Sequence, residues 1–251
     1  MRTQSLALMV AFGLASLGTA PIASGDEKGT DVLKKVDVAL NSFKDGYFES
    51  KLIVRNPGGT REYEFSTSQK TPGKRLVLFS SPGDVKGMGI LVEGKEVHVY
   101  LPGFQKVRRM GTHVKNQTFM GSNFGFDDFS QISYADSYEA VLTSEDAASW
   151  SIEVIGKKGV DPEFPKMNMV VDKKTHHPLK IEYFDGAGKK LKTQLRSEYK
   201  QDGPEHWQPF KIQMIDHRRN DNISDIIFTN TKINSGLADD LFTVRSLSRG
   251  N

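Results

Sequence analysis

The sequence contains no cysteine among its 251 residues. This absence excludes disulfide bonds, zinc–thiolate sites, cysteine-ligated iron–sulfur clusters and a thiol nucleophile. It also excludes a lipid-modified cysteine. An excess of one charge is lacking as well, because 34 Lys and Arg residues stand against 31 Asp and Glu residues. The sequence shows no basic stripe of the kind that binds nucleic acid, so we predict no nucleic-acid partner.

Long hydrophobic runs are lacking outside the first 25 residues. The run Ser5–Leu17 follows a short basic start; it is too short to span a membrane and is typical of a secretory signal. Small residues before Asp26 favour cleavage after Gly25, and an uncleaved anchor is the alternative. We therefore predict a signal peptide over residues 1–25, export to the periplasm, and a single domain over residues 26–251.

One helix is predicted near the start of the mature chain. Apolar residues from Leu33 to Phe43 recur at helical spacing and would form one face. We expect Thr30 or Asp31 to cap this helix and Gly46 to end it. Its apolar face is expected to pack on a sheet.

The rest of the chain has the pattern of strands joined by short turns. Turns as short as Gly94-Lys95 favour antiparallel neighbours in a meander. The predicted strands cover residues 51–55, 61–65, 75–79, 89–93, 96–101, 105–110, 134–142, 150–155, 167–172, 179–184, 189–199, 206–215 and 226–233. The sequence therefore predicts a mainly β fold with few helices.

The number of strands constrains the shape of this fold. About a dozen strands spaced ~4.8 Å apart would make a sheet roughly 50–55 Å wide. A single helix, about 10–12 Å across, cannot cover such a sheet. The sheet must therefore curl on itself, split into a sandwich, or leave apolar surface for a ligand. We expect a curled antiparallel sheet whose own side chains do not fill its interior, and a sandwich is the alternative.

Residues 103–129 lie between two strand-rich halves and combine arginines, glycines and large apolar side chains. Long segments inside compact domains are usually lids, binding loops or disorder, and this one is too aromatic for disorder. One interpretation is a lid over an apolar cavity, with an arginine meeting an anionic head group. The other is an inert crossover that its phenylalanines anchor to the sheet. The candidate ligand-binding residues are Arg108, Arg109, Phe119, Met120, Phe124 and Phe126.

The sequence carries no enzyme signature. Its histidines have no metal-ligand spacing, and Ser122 lies beside Gly121 rather than at the centre of a G-x-S-x-G motif. Asp127 and Asp128 are adjacent carboxylates, which on loops cap a turn more often than they act as acid and base. A hydrolase that uses one of them is the remaining enzymatic alternative. We predict that the chain is not an enzyme, and that it needs no cofactor and no metal.

Four segments of the central region carry a family resemblance: Lys86–Lys95, Val99–Pro102, Lys106–Arg109 and Phe119–Asn123. Through them the sequence resembles the bacterial outer-membrane lipoprotein-sorting proteins, a periplasmic group similar to the carriers LolA and LolB. The similarity covers roughly residues 30–245. It implies an unclosed β-barrel whose concave side is lined with apolar residues and covered by helices. Such proteins shield acyl chains while they cross an aqueous compartment.

The resemblance leads to a functional hypothesis. It implies a periplasmic carrier, a chaperone for a lipid or lipoprotein acyl chain, that binds this chain in an apolar cavity and delivers it toward the outer membrane. Each buried methylene gains about 0.8 kcal/mol, so binding needs no specific chemistry. An inner-membrane exporter of the RND type and a transient membrane contact are the partners that the resemblance implies. The alternative is a periplasmic sensor or adaptor that binds the exported domain of such an exporter.

Overall fold

The computed structural model describes most of the chain, namely residues 25–71, 73–94, 96–110, 118–125, 128 and 133–249. The predicted signal peptide lies outside these residues except for Gly25, so its cleavage stays a prediction. Two α-helices are present in the described part, α1 (Glu27–Leu40) and α2 (Val244–Arg249). Neither of them is long and apolar enough to cross a membrane.

Thirteen strands form one antiparallel sheet. They are β1 (Asp45–Asn56), β2 (Gly59–Lys70), β3 (Lys74–Ser81), β4 (Gly89–Glu93), β5 (Glu96–Leu101), β6 (Lys106–Arg109), β7 (Tyr138–Glu145), β8 (Ser149–Gly156), β9 (Lys166–Asp172), β10 (Pro178–Phe184), β11 (Lys190–Gln201), β12 (Trp207–Asp216) and β13 (Asn222–Ile233). Their order is β6-β5-β4-β3-β2-β1-β13-β12-β11-β10-β9-β8-β7, so β6 and β7 are the two edges and the barrel is not closed. The predicted unclosed barrel is confirmed, and the sandwich alternative is wrong.

The alternation of side chains along each strand gives the sheet an inner, concave face and an outer, convex face. In β1, Phe48, Leu52 and Val54 are buried on the concave face. The cross-strand pair Phe65–Phe79 of β2 and β3 continues this face. Residues of this kind from both halves of the sheet form one large apolar cluster. The main core therefore lies inside the curl of the sheet.

Helix α1 packs on β7 and β8, near one edge of the sheet. Its buried side chains include Val32, Leu33 and Val36, so the predicted apolar face is confirmed. Gly29 lies against β7 so closely that a Cβ atom there would come within 2.6 Å of the carbonyl oxygen of Ala140. Glycine at this position is what lets the helix backbone approach the strand backbone.

The predicted start of this helix is wrong. The N-cap is Asp26, whose carboxylate accepts a hydrogen bond from the backbone N–H of Gly29 at 2.5 Å. A carboxylate in that position satisfies one of the free N–H groups of the first turn. Thr30 and Asp31 therefore lie inside the helix, where neither is needed as a cap.

The predicted end of the helix is also wrong. The helix ends at Leu40, and the backbone N–H of Asn41 bonds the carbonyl oxygen of Val38 at 3.2 Å as the last turn closes. Gly46 belongs to β1 rather than to the helix end. Phe43 follows the end of the helix in the chain and is buried. It therefore adds to the apolar surface, although it is not part of the helix face.

Strand β7 begins four residues later than the predicted strand over 134–142. The backbone N–H groups of Tyr134 and Ala135 donate to the carboxylate of Asp37 at 2.7 and 2.8 Å, and the Ser133 hydroxyl donates to it at 2.8 Å. Because a carboxylate of α1 takes these donors, the segment forms a turn there. The first residue of the strand is Tyr138.

Residues 118–125 connect the two halves of the sheet and lie against its concave face. The side-chain amide of Asn123 donates to the carbonyl oxygens of Met214 at 3.0 Å and Asn222 at 2.5 Å. Its backbone N–H donates to the Ser224 hydroxyl at 3.0 Å. The ring of Phe119, beside this anchor, is buried in the main core. The connection is thus anchored to β12 and β13 from inside the curl.

A second, smaller apolar cluster lies on the convex face. Leu76 of β3 and Leu91 of β4 point outward there and are covered by Phe242 and by Leu247 of α2. This C-terminal covering buries the outer face of the sheet near β6. The concave face at the same strands remains part of the main core.

We expect Asn123→Ala to lower the free energy of unfolding by about 2 kcal/mol, because one buried and one partly buried carbonyl group lose their donor. Asn230→Ala, at an exposed position of β13, is the matched control and should change it by less than about 0.5 kcal/mol. Urea unfolding followed by circular dichroism measures both. Equal stabilities of the two variants would contradict the anchoring role of Asn123.

Candidate functional site

The curled sheet encloses a cavity of about 1150 Å³. Its lining includes Phe43 and Phe48, where β1 begins, and also Tyr138 and Phe164, at the opposite ends of the strands. The cavity therefore extends along the strands inside the curl. Its volume lies slightly above the roughly 300–1,000 Å³ of ordinary small-molecule sites.

Aromatic and aliphatic side chains form one part of the lining. The rings of Phe43 and Phe48 lie 5.7 Å apart between centroids, and those of Phe48 and Phe228 lie 6.1 Å apart. Ile212 and Phe228 are only partly buried, although they pack against the main core and line the cavity. Apolar surface thus remains unfilled inside the sheet, as expected from the width of the sheet.

Two arginines line the same cavity. Arg75 of β3 lies on the same face as Val77, and Arg196 of β11 pairs across the strands with Ile212. Burial lowers the pKa of Arg75 to about 10, and the positive charge of Arg196 lowers this pKa as well. Arg75 is nevertheless a cation at neutral pH. The interior of the sheet therefore combines apolar surface with positive charge.

Neutral side chains hold both guanidinium groups. Gln69 Oε1 accepts hydrogen bonds from Nε and Nη2 of Arg75 at 3.2 and 2.9 Å. Gln194 Oε1 accepts one from Nε of Arg196 at 2.7 Å. Burial raises the pKa of the Tyr134 phenol, while a hydrogen bond with Arg196 opposes this shift. The amide oxygens of two glutamines therefore help to orient the arginines.

Four carboxylates also line the cavity, at the end where the 157–165 loop and the start of β7 lie. Asp136 and Asp161 are exposed there, and Glu163 is partly exposed. Asp128 accepts the backbone N–H of Gly125 at 2.7 Å, which is a turn-capping contact. Asp127 lies outside the described residues. The described part of the chain contains no group of three or more His, Cys, Asp or Glu side chains that could hold a metal ion.

Two histidines of the lining are buried in their neutral form. Burial lowers the pKa of His177 to about 3, and the charge of Arg196 contributes to this shift. Burial also lowers the pKa of His206, whose Nδ1 lies 2.8 Å from the Ser42 hydroxyl oxygen. His177 Nδ1 has no hydrogen-bond partner among the described residues. The cavity therefore contains an imidazole whose polar atom is unsatisfied.

The two predicted arginines lie away from this lining. Arg108 and Arg109 are exposed on the edge strand β6. Cross-strand pairing puts Arg108 on the face of Val99. Arg109 Nη2 forms an ion pair with Glu96 Oε1 at 2.7 Å. Their assignment to a head group stays a prediction.

The predicted apolar residues lie in the connection between the two halves of the sheet. Phe119 and Phe124 are fully buried in the main core, and Met120 is partly buried against it. None of these three borders the cavity. Phe126 lies outside the described residues. Contact of these four side chains with a ligand stays a prediction.

Sequence reasoning missed Arg75 and Arg196. One signal for Arg75 was present: it stands two residues before Val77 and four before Phe79 in a predicted strand, so it shares their buried face. A charged residue on the buried face of a strand suggests a functional role. For Arg196 no such signal exists, because the residues on the same face of its strand, such as Gln194, are polar.

Comparisons with known proteins give one family and several similar folds. A family model described as an uncharacterized protein matches residues 72–249, well over half of the chain. No curated protein matches. A structure described as an outer membrane lipoprotein-sorting protein domain from Vibrio parahaemolyticus is 23% identical with a TM-score of 0.81, over 89% of this chain and 99% of that one.

Two further solved structures share the fold. A DUF1329 family protein from Desulfovibrio piger is 23% identical with a TM-score of 0.82, over 88% of this chain and 98% of that one. A LolA superfamily protein from Nitrosomonas europaea is 18% identical with a TM-score of 0.72, over 89% of this chain and 100% of that one. These likenesses confirm the fold that the sequence implied.

The depressed pKa of His177 predicts a specific loss of stability in acid. In the folded protein its pKa is about 3, against 6.5 for an unperturbed histidine, so the unfolded chain takes up the proton first as the pH falls. Above pH 6.5 the histidine is neutral in both states, so the folded protein keeps its full stability. Below pH 6.5 the unfolded chain binds a proton that the folded protein does not, and stability falls. Relative to His177→Gln, the parent should lose about 1.4 kcal/mol of unfolding free energy per pH unit in that window.

Urea unfolding at several values between pH 7 and pH 4 measures this difference. His176→Gln is the matched control, since His176 is the adjacent residue and is less buried. The unfolding free energy of this control should depend on pH in nearly the same way as that of the parent. Parallel stability curves for the parent and His177→Gln would show that His177 does not titrate as described.

Proposed function

We propose that this chain, which belongs to the LolA-like family whose model matches residues 72–249, carries a lipid or lipoprotein acyl chain. The acyl chain would occupy the cavity inside the curled sheet and be delivered toward the outer membrane. The proposal includes export to the periplasm with cleavage after Gly25, and it assigns no catalytic role to the protein.

The observation that supports this proposal most directly is unfilled apolar surface inside the sheet. The cavity of about 1150 Å³ is lined by Phe43, Phe48 and Phe228, and its partly buried residues retain surface that an acyl chain would cover. Burying about ten methylenes would gain roughly 8 kcal/mol before the cost of ordering the chain. The cost of ordering the acyl chain reduces this gain, so the affinity is weaker than the Kd of about 1 μM that a net 8 kcal/mol would give, and release stays possible.

Release requires an acceptor that competes for the acyl chain. The segment 118–125 is hydrogen-bonded to β12 and β13, so it is held in place inside the curl. We therefore propose that the chain leaves along the strands, through an end of the curl, during a transient contact with a membrane. An RND-type exporter in the inner membrane is the proposed partner at the loading step, and the support for it is the family resemblance.

Binding of a fluorescent fatty acid tests the proposal. Ile212→Trp fills part of the cavity and should weaken binding by about tenfold or more, equivalent to losing roughly two buried methylenes. Ile215→Trp is the matched control, because Ile215 lies on the same strand with its side chain on the opposite face. This variant should bind within about twofold of the parent.

The result that would overturn the proposal is a parent protein that takes up no fatty acid under any loading condition. Equal affinities for Ile212→Trp and the parent would show that the fatty acid binds elsewhere. A stable crosslinked complex with a membrane protein, found together with no fatty-acid uptake, would replace the carrier with the sensor or adaptor alternative.

A further inference from the structure

The cavity of the proposed carrier has a charged part as well as an apolar part. We propose that Arg75 and Arg196 form a subsite for the anionic head group of an amphiphile whose acyl chain lies in the same cavity. This inference rests on the proposed carrier function and adds the class of ligand to it. That class is a single-chain lipid with a carboxylate or phosphate head group.

The curl of the sheet brings the two arginines together from distant strands. Arg75 lies on β3 and Arg196 on β11, with β2, β1, β13 and β12 between them in the sheet. Both side chains nevertheless line one cavity, and the positive charge of Arg196 adds to burial in lowering the pKa of Arg75. Two cations on separate walls of one cavity can flank an anion that enters it.

The described hydrogen-bond partners of Arg196 carry no negative charge. Its described partners are the amide oxygen of Gln194 and the phenol of Tyr134, both neutral. Within the described residues no carboxylate oxygen lies within 4.0 Å of its guanidinium. A guanidinium has five N–H donors, so these partners leave donors for a ligand.

Energetics favours an anion at this place. The two like charges repel each other, and an anion between the two guanidinium groups would turn this repulsion into attraction. His177 gives a second, independent observation: it is only 2% exposed, lines the same cavity, and has no partner for Nδ1 among the described residues. A neutral imidazole offers one more hydrogen bond to a head group without adding charge.

The apolar lining argues for an amphiphile rather than a free ion. Phe43, Phe48 and Phe228 share the cavity with both arginines, and about 1150 Å³ is far more than a single inorganic anion fills. A ligand with a charged head and a long tail would satisfy both parts. Of the four carboxylates of the lining, Asp136 and Asp161 are exposed, and Asp128 acts together with Arg196 on the pKa of the Tyr134 phenol.

Displacement of a neutral apolar fluorophore by matched lipids tests this inference. The ligands are hexadecanoate, hexadecyl phosphate and hexadecanol, which share one chain length and differ in the head group, with inorganic phosphate as the free-ion arm. The parent should bind the two anionic lipids at least about tenfold more tightly than the alcohol, the gain of one charge-assisted interaction. Inorganic phosphate alone should not displace the fluorophore or lower the affinity for hexadecanol.

Single substitutions locate the subsite. Arg196→Gln and Arg75→Gln should each weaken binding of the anionic lipids by about fivefold or more and change hexadecanol binding less than twofold. Arg196→Lys should retain an intermediate preference. Arg61→Gln is the matched control, because Arg61 is a half-exposed residue of β2 that pairs with Asp84 outside the cavity. It should behave as the parent. Circular dichroism checks that each variant is folded.

Failure of this inference is distinct from failure of the carrier proposal. If no lipid displaces the fluorophore, the carrier proposal fails. If all three lipids bind the parent equally, the carrier proposal stands and the head-group subsite is overturned. The subsite is also overturned if the double variant Arg108→Gln/Arg109→Gln loses the preference for anionic lipids while Arg196→Gln retains it. The same holds if inorganic phosphate displaces the fluorophore as well as the lipids do.

Discussion

The structure depends on one constraint, the need to cover the concave face of a single thirteen-stranded sheet. Helix α1 covers the part near β7 and β8, and the connection that carries Phe119 covers part of the centre. The sheet curls over the remainder, but its two edge strands, β6 and β7, do not pair with each other. Because these elements do not fill the interior, a cavity with apolar walls remains. The cavity thus follows from a mismatch between the width of the sheet and the side chains available to cover it.

Polar anchors hold this arrangement in place. Asn123 attaches the central connection to β12 and β13, and Asp37 of α1 attaches the segment that precedes β7. These contacts replace the disulfide bonds that a sequence without cysteine cannot form. The same alternation of side chains that builds the core also directs Arg75 and Arg196 inward. Charge inside an apolar interior lowers stability, so its presence points to a role in ligand binding rather than in folding.

The sequence was enough to predict the strands, because alternation and short turns are local signals. The ends of α1 and the start of β7 were not predictable in this way. They depend on the carboxylates of Asp26 and Asp37, whose partners are settled only when the chain packs. The site was predicted least well. Clustered phenylalanines led to the prediction that the central connection binds the ligand. The residues that line the cavity instead come from strands far apart in sequence, and only Arg75 could be recognised from its place on the buried face of a predicted strand.

The central claim is that the cavity inside the sheet holds an acyl chain when the protein is in its own compartment. Native mass spectrometry of protein taken from the periplasm under mild conditions tests this claim most directly. The account predicts a population whose mass exceeds that of the polypeptide by one lipid, which dissociates on activation and is recovered by extraction. Protein that repeatedly shows the mass of the polypeptide alone, from cells in which it is active, would contradict the account.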